Sequence, residues 1–191
     1  MILGITGGFG TGKSTAARLF EDRAYRRIDT DQLIRDQVLT SPEVVAALVA
    51  RFGPDVLTGH GKVNRRKVAD RVFADDTERL WLEDLTHPPL FALWREALRL
   101  AEDGLWVVEV PLLFEKSLEK WFDFIVCVAC APEQQLVRLE QCGINRTFAE
   151  QRLSKQLPLA KKIELSDFVL WNEGSPEFLK AQVDRLVDSL A

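Results

Sequence analysis

The sequence predicts a three-layer α/β/α fold whose mainly parallel sheet carries an inserted helical lobe and a helical lid. Short apolar runs rich in β-branched residues alternate with helical patterns, and the first run leads through glycines directly into a helix. Strands alternating with helices form parallel sheets covered on both faces, with ligands beyond the carboxyl ends of the strands. A third observation divides the chain: residues 32–104 carry helical periodicity with little strand signal, and residues 133–162 form a polar stretch bearing Arg and Lys. The expected organisation is one domain, with a core of residues 1–31, 105–132 and 163–191, a lobe of residues 32–104 and a lid of residues 133–162.

Ile2-Leu3-Gly4-Ile5-Thr6 is short and apolar, so it reads as a buried strand ended by glycines. From Lys13 to Arg23, Ala16, Leu19 and Phe20 fall three and four apart and share one helical face. A short apolar reach ending near Asp29 completes a second strand. In the lobe, Val44 to Phe52, Arg65 to Phe73 and Glu78 to Leu100 keep helical spacing. The last should break at Pro88-Pro89, because proline removes a backbone hydrogen bond and crowds the preceding turn. Strands follow at Leu105 to Val110, Phe124 to Ala129 and Phe168 to Trp171. Phe178, Leu179, Val183, Leu186, Val187 and Leu190 hold a 3.6-residue period through a final helix.

Composition sets the outer limits. Of 191 residues, 47% are hydrophobic and 28% charged, which excludes disordered, collagenous and mucin-like chains. With 25 Lys plus Arg against 29 Asp plus Glu the net charge is −4, so neutralising nucleic-acid phosphates is not its main work and no nucleic-acid partner is expected. No apolar run approaches the roughly 18 to 20 residues of a membrane span, and the start lacks a signal-peptide pattern, so no membrane partner is expected. Three cysteines, Cys127, Cys130 and Cys142, are too few and odd for a disulfide framework. Cytoplasm is the expected compartment and a monomer the expected state.

Gly7-Gly8-Phe9-Gly10-Thr11-Gly12-Lys13-Ser14 fits the G-x-x-x-x-G-K-[ST] pattern between a predicted strand and a predicted helix. Gly8, Gly10, Thr11 and Gly12 shape a loop whose backbone N–H groups face phosphate oxygens, with the helix dipole behind them. Lys13 would reach the β- and γ-phosphates, Ser14 would place its hydroxyl on Mg²⁺, and Thr15 would add a contact to an inner phosphate. Background frequencies put a chance match at under about one in a hundred. The bland reading is a glycine turn with a surface lysine.

Asp29-Thr30-Asp31 stands at the expected tip of the second strand. A carboxylate there could accept a proton from an attacking hydroxyl or cap the following helix, and both roles can be shared between Asp29 and Asp31. Glu109 stands at another strand tip, where it could hold the metal through water or simply be solvated. Cys127-Val128-Ala129-Cys130 has C-x-x-C spacing, but residues three apart on a strand face opposite ways, so both read as core. His87 precedes two prolines and reads as a helix-bend residue or as part of an acceptor wall. The five tryptophans read as packing, and Arg65-Arg66-Lys67 as a solvated face.

The phosphate loop, Asp29-Thr30-Asp31 with Arg35, Leu82-Glu83 through His87-Pro88, and Glu109-Val110-Pro111-Leu112-Leu113-Phe114-Glu115 together resemble the dephospho-CoA kinases. Asn64-Arg65 with Val72-Phe73, Gln135 with Arg138-Leu139, Arg152 with Gln156, Lys162, and Asp167 with Asn172 extend the likeness over nearly the whole chain. The resemblance implies a P-loop NTPase core and transfer of the ATP γ-phosphate to the ribose 3′-hydroxyl of dephospho-CoA, giving CoA and ADP. It implies Asp31 as the base, Lys13 with Mg²⁺ on the transferring phosphoryl, and Arg138 and Arg152 on the lid side near the phosphates. Asn172 and Gly174 would border the adenine, while Arg35 and His87 would face the acceptor.

Three departures stand out. Cys142 occupies a position where the family usually has a second lid arginine, and the segment to Arg152 is one residue short; Arg146 is the expected replacement for the missing charge. Glu109 stands where Asp is usual, which questions a direct metal role. Ser166 replaces a common Ala. Two alternatives remain: a nucleoside or nucleotide kinase on the same core, and a nucleotide-binding regulator with weak catalysis.

Overall fold

The structure is a computed structural model that describes residues 1–99 and 104–190, with the backbone alone at residues 73 and 74. Five strands, β1 (Ile2–Gly7), β2 (Arg26–Asp29), β3 (Trp106–Glu109), β4 (Phe124–Ala129) and β5 (Phe168–Trp171), form one all-parallel sheet in the order β2-β3-β1-β4-β5. The helices are α1 (Lys13–Glu21), α2 (Thr30–Leu33) running into a π-helical turn at Ile34–Val38, α3 (Pro42–Phe52), α4 (Arg65–Ala74), α5 (Asp76–Arg99), α6 (Pro132–Gln141), α7 (Arg146–Ser154), α8 (Leu159–Leu165) and α9 (Pro176–Leu190). Single 3₁₀ turns lie at Pro54–Val56 and Glu119–Trp121.

The described residues group into two compact units, Met1–Asp29 with Asp103–Ala191, and Thr30–Glu102. In the first, the chain steps from β1 to the far edge at β2, returns to β3 beside β1, then crosses to β4 on the other side. The order therefore reverses at the carboxyl end of β1, the place where α/β sheets open a ligand crevice. Ile125, Val126, Cys127, Val128 and Ala129 are all buried, the continuous pattern of a strand covered on both faces. On one face Leu3, Ile5, Val107, Val126 and Val128 pack with Ala16, Ala17 and Phe20 of α1 and Leu179, Val183 and Val187 of α9. Phe20 also meets Tyr25 edge-on at 5.3 Å between ring centroids. α8 packs against β1 and β4.

In the second unit, Val44 and Leu48 of α3, Val68 and Val72 of α4, and Leu90 and Trp94 of α5 are buried. Ser41 caps α3 by accepting from the Val44 N–H, and Asn64 caps α4 by accepting from the Lys67 N–H, each at 3.3 Å. Phe52 meets Trp81 edge-on at 5.4 Å, and the Arg51 guanidinium lies 5.5 Å over the same indole while pairing with Glu78.

Three expectations are corrected. α5 runs unbroken through Pro88 and Pro89. Two lost backbone hydrogen bonds are outweighed in a helix of 24 residues whose Thr86, Leu90 and Trp94 are buried. Leu100, the expected end of that helix, lies outside the described residues. Phe178 is 47% exposed near the start of α9, its ring so close to Gly174 that a Cβ there would lie 3.0 Å from Phe178 Cδ1. Leu105 precedes β3 and Val110 follows it, so both ends of the expected strand stand outside it. Among the described residues, no helix is long and apolar enough to cross a membrane.

Phe20 is fully buried where α1 meets the sheet. Phe20→Ala is therefore expected to lower the unfolding free energy by about 3–5 kcal/mol, read as a fall in the urea midpoint with an unchanged slope.

Candidate active site

The loop Gly8–Gly12 leaves the carboxyl end of β1 and enters α1 through Gly12, whose φ of 97° is left-handed. A Cβ at Gly12 would also lie 2.1 Å from Asn172 Nδ2, so both conformation and space require glycine here. No side chain caps α1 at Gly12. The loop closes on itself where the Thr11 hydroxyl donates to the Gly8 carbonyl at 3.0 Å, and the Thr15 N–H donates to the Gly12 carbonyl at 3.0 Å. Lys13 Nζ donates to the Gly8 carbonyl at 2.8 Å and the Gly7 carbonyl at 3.3 Å, folding its ammonium back along the loop.

Side chains from distant segments hold this backbone. Asn172, just past β5, donates from Nδ2 to the Thr11 carbonyl at 2.9 Å and from its backbone N–H to the Ala129 carbonyl at 2.7 Å. Arg138 of α6 donates from Nη2 to the Asn172 carbonyl at 2.8 Å, and its Nη1 is buried without a hydrogen-bond partner. Gln135 donates to the Phe9 carbonyl, while Gln156 accepts from the Phe9 N–H at 3.1 Å. The Arg152 guanidinium lies 4.5 Å over the Phe9 ring and 5.9 Å over Phe148. Close approach is general in this loop: a Cβ at Gly8 would sit 2.5 Å from the Gln135 amide nitrogen, and one at Gly10 would sit 2.7 Å from Leu139 Cγ.

At the strand tips, the Ser14 hydroxyl donates to Glu109 Oε2 at 2.7 Å. The reading of Glu109 as a solvated strand end is corrected, since the residue is 4% exposed. Arg27 of β2 donates from Nε to Glu109 Oε1 at 2.5 Å and from Nη2 to Asp29 Oδ2 at 3.1 Å.

The first unit thus brings together Gly8, Gly10, Thr11, Gly12, Lys13, Ser14, Thr15, Arg138 and Asn172. Asp31, Arg35 and His87 belong to the second unit. There Asp31 is exposed in the first turn of α2, and Arg35 lies one turn on within the π-helical segment, against which α5 packs. His87 of α5 is half-buried, its ring 5.6 Å from that of Phe91. Arg146 pairs with Glu133 at 3.1 Å, Glu150 at 3.3 Å and Glu140 at 3.8 Å.

Sequence reasoning missed Arg27 and Phe9. Arg27 shares a strand face with Asp29 by the two-residue period, a usable signal, but the proximity of Glu109 depends on β2 and β3 being neighbours. Nothing local marks Phe9 as the attachment point of two glutamines.

A parallel sheet that places a glycine loop, a lysine and a hydroxyl at the carboxyl end of its central strand defines a P-loop enzyme core, built to hold nucleotide phosphates. Within that class the chain belongs to the dephospho-CoA kinase family, whose model matches residues 1–177. It is 41% identical to the dephospho-CoA kinase of Thermosynechococcus vestitus over 186 residues, covering 96% of this chain and 91% of the relative. It is 38% identical to that of Synechococcus elongatus over 191 residues, covering 98% and 91%. The crystal structure of TT1252 from Thermus thermophilus matches with a TM-score of 0.83 and 32% identity over 100% of this chain and 98% of that one.

Cys127 and Cys130 are buried near the cations of the site. Burial pushes the Cys127 thiol up to about 11 and raises Cys130, against partial relief from nearby cations. No group of three or more His, Cys, Asp or Glu able to hold a metal occurs among the described residues. Of the three cysteines only Cys142 is exposed. A disulfide reagent at pH 8 is expected to titrate one thiol per native chain rapidly and three after denaturation; two fast native thiols would refute the burial.

Proposed function

We propose that the chain transfers the γ-phosphoryl group of ATP to the ribose 3′-hydroxyl of dephospho-CoA, giving CoA and ADP, as a cytoplasmic monomer. The observation that carries this is the braced loop: Lys13 folded along it, Ser14 on Glu109, and Arg138 linked through Asn172 to Thr11, in a chain of this family. Lys13 is placed to move from loop carbonyls to phosphate oxygens, exchanging one set of oxygen acceptors for a charged one. Arg138 is held beside the loop by the Asn172 carbonyl, and its charge offsets the negative charge that spreads over the transferring group.

Mg²⁺ fits the oxygens present. The Ser14 hydroxyl with the Glu109 carboxylate behind it is an all-oxygen set, which a hard cation shares with substrate phosphates and water. When bound, the ion would offset the charge on the β- and γ-phosphate oxygens.

Of the two carboxylates at the tip of β2, Asp29 is engaged by Arg27, whereas Asp31 is exposed at the head of α2. Asp31 is therefore the group that accepts or orients the acceptor hydroxyl proton. Arg35 and His87, on elements packed against each other, are assigned to the acceptor, and Asn172 to the border of the adenine.

The deciding experiment is ADP release from MgATP with dephospho-CoA, adenosine, AMP or no acceptor. Release with dephospho-CoA alone, with CoA as product, is the expected result; release with adenosine or AMP instead would replace the reading with a nucleoside or nucleotide kinase. Asp31→Asn is expected to lower kcat by about 10²- to 10⁴-fold with the KM for ATP unchanged. Arg138→Ala is expected to lower kcat by at least about 10²-fold, against less than about twofold for Arg146→Ala, whose guanidinium is held by three carboxylates.

A further inference from the structure

We propose that Arg27, which lies outside every motif of the site, is a positioning residue that orients the Glu109 carboxylate on the Ser14 hydroxyl and thereby sets the affinity of the loop for Mg²⁺. The inference rests on the reading of the loop as a nucleotide and Mg²⁺ site. It starts from the sheet register, in which Asp29 of β2 lies beside Glu109 of β3. Two carboxylates side by side at strand tips repel each other, and Glu109 is also nearly fully buried, which penalises its charge unless a cation accompanies it.

Arg27 supplies that cation to both. Two residues before Asp29 on the same strand, it projects from the same face. Its guanidinium reaches Glu109 Oε1 through Nε at 2.5 Å, Asp29 Oδ2 through Nη2 at 3.1 Å, and Glu21 Oε2 through Nη1 at 3.8 Å. The other Glu109 oxygen accepts from the Ser14 hydroxyl at 2.7 Å. The two oxygens of one carboxylate thus have separate duties, one on the guanidinium and one on the metal-binding hydroxyl.

A glutamate has one more rotatable bond than an aspartate, so its strand position alone does not fix where its carboxylate lies. A planar fork with donors at fixed angles does fix it, and a lysine would not. Partners that orient a metal ligand typically set metal affinity by about 10- to 100-fold, which is the size of effect expected of Arg27.

The test uses the full chain and a fluorescent N-methylanthraniloyl ATP, titrated with MgCl₂ and, separately, bound in EDTA. In Arg27→Met the Mg²⁺ midpoint should rise about tenfold while affinity in EDTA stays within about twofold of the parent. Arg27→Lys keeps the charge without the fork and should raise the midpoint about threefold; if Arg27→Met does not fold, this variant carries the test. In a Glu109→Gln background Arg27→Lys should add nothing further, because the carboxylate it orients is gone. An unchanged Mg²⁺ midpoint in a folded Arg27 variant overturns the proposal, as does an equal loss of affinity with and without Mg²⁺, the mark of a loop that has merely loosened. The titration contains no acceptor, so a failure to phosphorylate dephospho-CoA would count against the proposed function and leave this result standing.

Discussion

A glycine loop cannot hold its own shape, and the rest of this structure is arranged around that constraint. Between Gly7 and Gly12 only Phe9 and Thr11 carry side chains, and the glycines have large conformational freedom to lose. The loop is therefore set from outside. Asn172 at the tip of β5 fixes the Thr11 carbonyl, while Gln135 of α6 and Gln156 beyond α7 grip the two sides of the Phe9 peptide unit. The partners stand 161, 126 and 147 residues from the groups they hold, so the loop takes its shape only when the sheet and the following helices have assembled. The same contacts explain why small residues recur there: each approach is too close for a side chain on the loop itself.

Charge is handled by the same logic of shared partners. Lys162 is fully buried, 2.8 Å from Glu115 and 2.7 Å from the Pro111 carbonyl, and Glu115 Oε1 also accepts from the Leu157 N–H at 2.9 Å. A buried ion pair is weak as a source of stability and strong as a constraint, because breaking it strands a charge. Here it joins the turn after β3 to α8, and the Leu157 hydrogen bond ties the segment between α7 and α8 to the same carboxylate. Gln156, one residue before Leu157, thereby reaches Phe9 from a fixed anchor.

The parts of this arrangement legible in the sequence are those that neighbouring residues specify. β4 and β5 have the bounds that their apolar runs predict, and the loop pattern is contiguous. α5 shows where local rules stop: proline predicts a helix break at Pro88-Pro89, yet Thr86, Leu90 and Trp94 are buried around it, packing prevails and the helix continues. The environment of Glu109 is hidden for another reason. Its exposure depends on the pairing of β2 with β3, and its partners Ser14 and Arg27 lie 95 and 82 residues away. Phe9 reads as a filler position of the motif because its role lies in its peptide group and ring face, to which the pattern is blind.

The two ends of α7 carry their positive charge differently. Arg146 opens the helix after the Asn145 cap, where the backbone dipole already presents positive charge and a cation is disfavoured. Glu133 and Glu140 of α6 and Glu150 of α7 surround it, so its charge is matched by its neighbours. Arg152 stands in the last turn, where the dipole favours a cation, and its guanidinium rests on the Phe9 ring of the phosphate loop. Exposed ion pairs are individually weak, about 0–1 kcal/mol, but three around one guanidinium leave it little net charge to offer a phosphate. The two arginines thus differ by position: the helix neutralises the one at its start and sets the one at its end over the loop.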